Sequence, residues 1–393
     1  MINISNKVFY LGINDRKTTL FENNWPLPYG ISYNSYLIAD EKTALIDTLE
    51  YGSDPLYKKN IAKLLGDKKL NYLVINHMEP DHSSMIGEII EKYPNVKVVG
   101  NNQTKKLLDI YYPLPEESFL KVSNGQELKL GHHNLKFVLT PWVHWPETMM
   151  TYDTTDQMLF SGDAFGTYGT LDGTIYDDQV DLKFFEEEGR RYYSNIVGKW
   201  SIMVQNAFKK LVDIPLKFIC PAHGPIWRKD PTQVIEWYNK WSLHKAEDGV
   251  VIAYASMYGN TEKLADTIAL KLAEKGIRNI HIYDVSKTHI SFILSDIWKY
   301  KGLILGSCAY NSDMHPMMAA LIHELSVSSP KNKVVSVFGG SSWNGAGAKS
   351  ILAACQQMKM NVSEDILELS GVFESNKVDT TAFVKDMVSR LNK

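Results

Sequence analysis

The sequence predicts an α/β protein of two modules, the second a doubly wound parallel sheet. Three observations carry this. Up to residue 249, short β-rich runs dominate, separated by turn residues and a few helical patches. From 250 onward, apolar strand patterns and helix patterns alternate regularly, as a parallel sheet with crossover helices requires. Between them, the polar stretch Lys245-Ala246-Glu247-Asp248-Gly249 follows the aromatic-rich segment 235–241. The expected modules are therefore 1–249 and 250–393.

Taken in order, the first module places strands at 35–39, 44–47, 72–76, 96–99, 135–139, 158–160 and 218–220. A helix is expected at 85–93, with Ser83 or Ser84 as its cap. The second module reads as strand 250–255, helix 261–275, then strands at 280–284, 303–306, 334–338 and 366–371.

Composition narrows the class. The 393 residues are 44% hydrophobic and 22% charged, which is ordinary for a folded protein and excludes disorder. The 42 basic and 45 acidic side chains give a net charge of −3. Neither module has the basic stripe that nucleic acid would demand. No apolar run approaches the ~18 residues of a membrane helix, and the start lacks the basic and apolar regions of a signal peptide, so no membrane is expected. The three cysteines, Cys220, Cys308 and Cys355, form no CxxC pair, which argues for a reducing, cytoplasmic setting.

The strongest motif is His77-Met78-Glu79-Pro80-Asp81-His82, four metal-capable side chains in six residues just beyond an apolar strand. The arrangement recurs. His144 follows the 135–139 run, Asp163 follows 158–160, and His223 follows 218–220. Strand ends at one edge of a sheet lie close together, so these residues can share one cleft. A lone His past a strand is usually a satisfied polar residue. Burying four imidazoles and three carboxylates together without a cation would be very costly. The set is too large for one ion and suits two. A carboxylate-rich His/O set favours iron or manganese over zinc.

A second motif follows strand 250–255. Ser256-Met257-Tyr258-Gly259-Asn260-Thr261 puts small and hydroxyl residues at a strand-to-helix turn, where backbone N–H groups can surround a phosphate. Two further loops leave the same sheet: Ser307-Cys308-Ala309-Tyr310-Asn311 and the run from Gly339 through Ser341, Ser342 and Trp343 to Gly345. Tyr310 or Trp343 could pack on a flat ring, and Cys308 could pack beside it. The phosphate loop resembles that of FMN-binding flavodoxins.

The first motif resembles the metallo-β-lactamase family, whose hydrolases usually carry HxHxDH; here Glu79 replaces the second His. With that Glu, the chain resembles the flavodiiron proteins over essentially its whole length: a metallo-β-lactamase-like αββα domain, then a flavodoxin-like domain. The resemblance implies that His77, Glu79 and His144 bind one iron, that Asp81, His82 and His223 bind the other, and that Asp163 bridges them. It implies FMN, reduction of O2 to water or of NO to N2O, and a head-to-tail homodimer or a pair of such dimers. The sequence up to Lys393 has no four-Cys rubredoxin segment, so an external donor such as rubredoxin is expected. Where some members place a His and a Tyr near the metals, this chain has Glu22 and Asn24; Tyr193 matches a tyrosine of the gas pocket. A zinc hydrolase and a non-catalytic O2 sensor are the competing readings. Glu79 and the flavin module oppose the first, and an intact FMN loop opposes the second.

Overall fold

The computed structural model describes residues 1–50, 55–374 and 378–392. It divides into two compact units. One comprises Met1–Tyr193 with Trp200–Asn239; the other comprises Ser194–Lys199 with the chain from Lys240 onward.

In the first unit, the described residues form a seven-stranded and a five-stranded sheet. The larger runs in the order Ile2–Ser5, Val8–Tyr10, Tyr36–Ala39, Thr43–Ile46, Tyr72–Val74, Lys97–Gly100 and Phe119–Lys121. It begins antiparallel, with Tyr36 opposite Ile46, and turns parallel where Ile46 meets Val74 and Val74 meets Val99. Thr43–Ile46 is buried on both faces, hence its unbroken apolar run. The smaller sheet orders Glu127–Lys129, Asn134–Leu139, Met149–Asp153, Met158–Gly162 and Phe218–Pro221. Ile46, Val74 and Val99 from one sheet and Phe137, Met158 and Phe160 from the other belong to one apolar core. A two-layer sheet core with helices outside is the expected αββα arrangement.

The second unit is a parallel sheet in the order Ile280–Asp284, Glu247–Ala255, Tyr300–Tyr310, Val334–Ser341, Asn361–Ser370, the flavodoxin-like order. Its three central strands are buried on both faces, and the alternation is visible in the cores. Val251, Ala253 and Ala255 enter one cluster, while Val250, Ile252 and Tyr254 enter the other.

Several expected boundaries move. The strand expected at 303–306 runs from Tyr300 to Tyr310, and the last strand starts at Asn361, five residues before the expected 366. Polar residues such as Asn361, Glu364 and Asp365 disguise that strand because they lie on its exposed parts. The helix expected at 85–93 is Ile86–Lys92, capped at Met85 rather than at Ser83 or Ser84, and a separate short helix, Pro80–Ser83, precedes it with Glu79 at its N-cap. Pro80 sets this. Its fixed φ suits the first helical position, so helix begins inside the motif. Among the described residues no helix is long and apolar enough to cross a membrane.

Candidate functional site

His77 stands three residues beyond strand Tyr72–Val74, and Asp81 and His82 sit on the short helix Pro80–Ser83. His144 follows strand Asn134–Leu139, Asp163 directly follows Met158–Gly162, and His223 follows Phe218–Pro221. The ends of strands from both sheets thus deliver all seven residues to one buried place. Each is at most 8% exposed.

They separate into two groups whose ligating atoms lie within 4.8 Å of one another: His77, Glu79, His144 and Asp163, and Asp81, His82 and His223. Asp163 touches both. Its Oδ2 lies 3.3 Å from His77 Nε2 and 3.0 Å from His144 Nε2. Its Oδ1 lies 2.8 Å from His82 Nε2 and 3.4 Å from His223 Nε2. Glu79 Oε2 completes the first side, 3.2 Å from His77 and 2.9 Å from His144. Asp81 Oδ2 completes the second, 3.1 Å from His82 and 3.2 Å from His223.

The electrostatics are extreme in both directions. Burial alone would depress the His77 and His82 imidazoles, but Asp163 with Glu147 and Glu79 around His77, and Asp81 with Asp163 around His82, push both well up. Burial alone would raise the Asp163 carboxyl, yet His82 and His77 hold it well below its usual range. Both oxygens of Asp81 and of Asp163, both ring nitrogens of His82 and Nε2 of His223 make no aligned hydrogen bond. Such buried polar atoms are costly unless something charged lies between them. A pair of divalent cations fits this donor set.

Neighbouring groups fix the ring orientations. His223 Nδ1 lies 2.8 Å from the Ser32 carbonyl oxygen, so it donates there and leaves Nε2 facing the cluster. Gly224, in the left-handed region at φ 84°, allows the chain to pass: a Cβ there would stand 2.2 Å from Thr167 Oγ1. His77 Nδ1 lies 2.7 Å from Glu147 Oε1, which also accepts from the Met78 N–H at 2.8 Å. The sequence reading missed Glu147. The signal was there, three residues beyond His144, but a single carboxylate after a ligand loop is common.

Aromatic rings close the site. Phe21 and Tyr192 pack on His223 with ring centroids 5.7 and 5.6 Å away, and Trp145 stands 5.2 Å from His77. Tyr193 is placed otherwise than expected. Its hydroxyl meets Ser201 Oγ at 2.8 Å and its ring packs on Tyr238, while the adjacent Tyr192 faces the cluster. Tyr192 ends the helix Leu182–Tyr192 and Tyr193 opens a π-helix to Val197; neighbours on a helix point about 100° apart, so only one of the pair can face the cluster. Glu22, in a left-handed turn at φ 51°, accepts from Trp25 Nε1 at 3.0 Å. Glu22 as a whole is exposed, but its carboxyl end is turned inward; desolvation there, and then the Glu79 carboxylate, push it up to about 8. Asn24 is exposed.

In the second unit, three of the expected loops converge. A cleft of about 160 Å³ is lined by Ser256, Met257, Tyr258, Asn260, Thr261, Cys308, Ala309, Ser341, Ser342 and Trp343, joined by Gly340 and Gly371. Gly259 takes the left-handed N-cap position of helix Asn260–Glu274 at φ 84° and contributes no capping side chain. The first amides of a 15-residue helix therefore stay free for an anion. That is a cradle for a phosphate of the kind FMN carries. Ser307, Tyr310, Asn311, Gly339 and Gly345 do not line the cleft. Ser307 Oγ accepts from the His315 N–H at 2.9 Å, bracing the loop, and a Cβ on Gly339 would stand 2.7 Å from Ala348. A fourth loop was missed: Asn260 Oδ1 accepts from the Phe373 N–H at 3.0 Å, beside Gly371.

Comparison with known proteins agrees with both halves. Residues 31–224 match the model of the ODP family beta lactamases, and residues 252–381 match that of flavodoxin. The chain is 34% identical over 362 residues to an anaerobic nitric oxide reductase flavorubredoxin of Vibrio vulnificus, covering 90% of this chain and 72% of that one. It is 32% identical over 368 residues to an uncharacterized protein of Methanocaldococcus jannaschii, covering 93% and 92%. Rubredoxin oxygen:oxidoreductase from Desulfovibrio gigas superposes with a TM-score of 0.94 at 27% identity, covering 100% of this chain and 98% of that one. The flavodiiron protein from Giardia intestinalis gives 0.93 at 25% identity, covering 99% and 97%. By sequence, fold and the order of its two modules, this chain belongs to the flavodiiron protein family.

Proposed function

We propose that this protein is an oxidoreductase that reduces O2 to water, NO to N2O, or both, at a non-haem diiron centre fed through FMN. The observation that carries this reading is Asp163, whose two oxygens each face one His/carboxylate group. With metals and flavin in place, two ferrous ions and a reduced flavin supply up to four electrons, enough to take O2 to water or to couple two NO molecules. In this reading His77, Glu79 and His144 hold one iron, Asp81, His82 and His223 the other, and Asp163 bridges.

The chain's own groups prepare the site. Ser32 and Glu147 hold protons on the outer nitrogens of His223 and His77, so the inner nitrogens are free to ligate. Phe21, Tyr192 and Trp145 keep bulk water from the cluster. Glu22, whose carboxyl faces that of Glu79, is a proton source beside it. In the second unit, Ser256–Thr261 and the helix behind them take the FMN phosphate.

The name of the Desulfovibrio gigas relative supports the first of two finer proposals, the donor; the second, the assembly, rests on two-fold pairs being the commonest oligomers. A rubredoxin-type carrier is the electron donor, and the working unit is a head-to-tail homodimer in which each flavin serves the partner's irons. Mixing a chain that lacks FMN with one that lacks iron tests this: activity returns only if electrons cross between chains. Anaerobic stopped-flow of the reduced protein against O2 and against NO tests the reaction itself. Reoxidation by neither gas would overturn the assignment.

A further inference from the structure

The sheet of the second unit has a second cleft at the opposite edge from the flavin loops. It opens where strands begin rather than end. Lys301 is the second residue of strand Tyr300–Tyr310, Lys333 immediately precedes Val334–Ser341, and Lys359 precedes Asn361–Ser370. Lys331 and, from the last helix, Arg390 complete its basic side. The cavity is about 520 Å³, the size of a small-molecule site, and no carboxylate lines it.

The charges are poorly balanced. Arg390 pairs with Asp386 at 3.3 Å. Among the described residues, none of the four lysines has an acidic partner within ion-pair distance. Two helices, Pro316–Ser328 and Ala346–Gln357, end at this edge, and each contributes about half a negative charge. With buried Lys333 only partly charged near neutral pH, between about two and three positive charges therefore remain over one cavity.

Lys333 is the most telling residue. It is 4% exposed, and its ammonium donates to the carbonyl oxygens of Tyr300 at 2.8 Å and Trp298 at 3.3 Å. An ammonium has three donors, so one remains. Burial without an acidic neighbour holds Lys333 down at about 7, a cost that an anion in the cleft would offset. Leu325, Pro330, Met358 and Met360 also line the cleft and offer apolar contact to a non-polar body.

We propose that this cleft binds a diphosphate group, either free or carried by a nucleoside. Strand Tyr300–Tyr310 spans the distance between the two edges with 11 residues, roughly 30 Å or more at ~3.3 Å each, so the anion does not touch the flavin. Its role is to neutralise and stiffen the far edge of the sheet, not to carry electrons.

Titration calorimetry at low salt on FMN-loaded protein tests this, with inorganic pyrophosphate and ADP as probes. Both should bind. Equal affinity identifies free diphosphate as the ligand, and tighter ADP identifies a nucleotide that uses the apolar contacts. Lys331→Gln with Lys359→Gln, two exposed positions, should weaken binding by about tenfold or more, since charge-assisted hydrogen bonds are lost. Lys333→Met should remove it, and Lys333→Arg should retain part of it. Flavin and iron contents should stay constant throughout, so the result is independent of the redox reading. No heat with either probe, or affinity unchanged in the double variant, overturns the proposal.

Discussion

The two candidate cofactor sites are built in opposite ways. The metal cluster is deeply buried, with its seven donors at most 8% exposed and already converged. The flavin cleft is open, rimmed by Tyr258 and Trp343 at 90% and 81% exposure. The difference follows from what each site must hold. Close packing of imidazoles and carboxylates tolerates only a few arrangements, so rigid strand ends must fix them before an ion arrives. A flavin binds through a phosphate and a flat ring, and loops can supply amides and rings without a preformed charge cluster. Loss of the residue shared by both metal groups should therefore empty the first site at once, whereas the second should fail piecemeal.

The largest test is Asp163→Ala. Because each Asp163 oxygen serves one group, both irons should be lost together, from about two per chain to almost none, while one FMN per chain remains. Elemental analysis with flavin extraction reads both numbers. Loss of one iron only would remove the bridge from the argument; loss of flavin as well would dissolve the contrast between the sites.

The converse is Asn260→Glu with Thr261→Glu. Two carboxylates at the helix N-terminus face the position of the phosphate, and repulsion should release most of the flavin. The buried cluster should keep its irons. Retained flavin after gel filtration would mean that this turn is not the cradle.

How much of this could be read from the sequence differed between the sites. His77 through His82 announced themselves because four donors lie within six residues, and His144, Asp163 and His223 each followed an apolar strand. The alternation after residue 250 likewise reads directly as a parallel sheet. What stayed hidden depends on tertiary approach. Glu147 matters only because its loop returns to His77, and Gly371 and Phe373 matter only because the last strand ends at the flavin edge. Nothing local distinguishes Tyr192 from Tyr193, since a one-residue change of helical phase separates the two roles.

A smaller effect should follow from Glu147→Gln. The amide keeps the shape but loses the charge that fixes the His77 proton, so iron affinity on that side should fall about 10–100-fold. The other group should be nearly unaffected, which metal titration of stripped protein can resolve. In stripped protein the carboxylates hold His77, His82 and His144 above their ordinary range, His144 at about 9. Protons therefore compete with metal up to higher pH than for a free imidazole, and uptake should strengthen as pH rises. Glu147 is one of the groups holding His77 up, so Glu147→Gln should make uptake at the His77 side less pH-dependent. An unchanged pH profile would remove Glu147 from the account.

The smallest and sharpest test separates neighbouring tyrosines. Tyr193→Phe removes a buried hydroxyl that meets Ser201 at 2.8 Å, which should cost about 1 kcal/mol by urea denaturation and leave gas reduction nearly unchanged. Tyr192→Phe removes a buried hydroxyl that has no hydrogen-bond partner, so stability should hold or rise slightly. That hydroxyl belongs to a ring lying 5.6 Å from His223, near the place where a small gas would meet the metals. Its removal should change the rate of reoxidation by O2 or NO while iron content stays constant. The two variants thus predict opposite pairs of outcomes, stability without rate for one and rate without stability for the other. If Tyr193→Phe alters the rate and Tyr192→Phe the stability, it is the Tyr193 ring that meets the gas, and the expectation drawn from the sequence for Tyr193 stands.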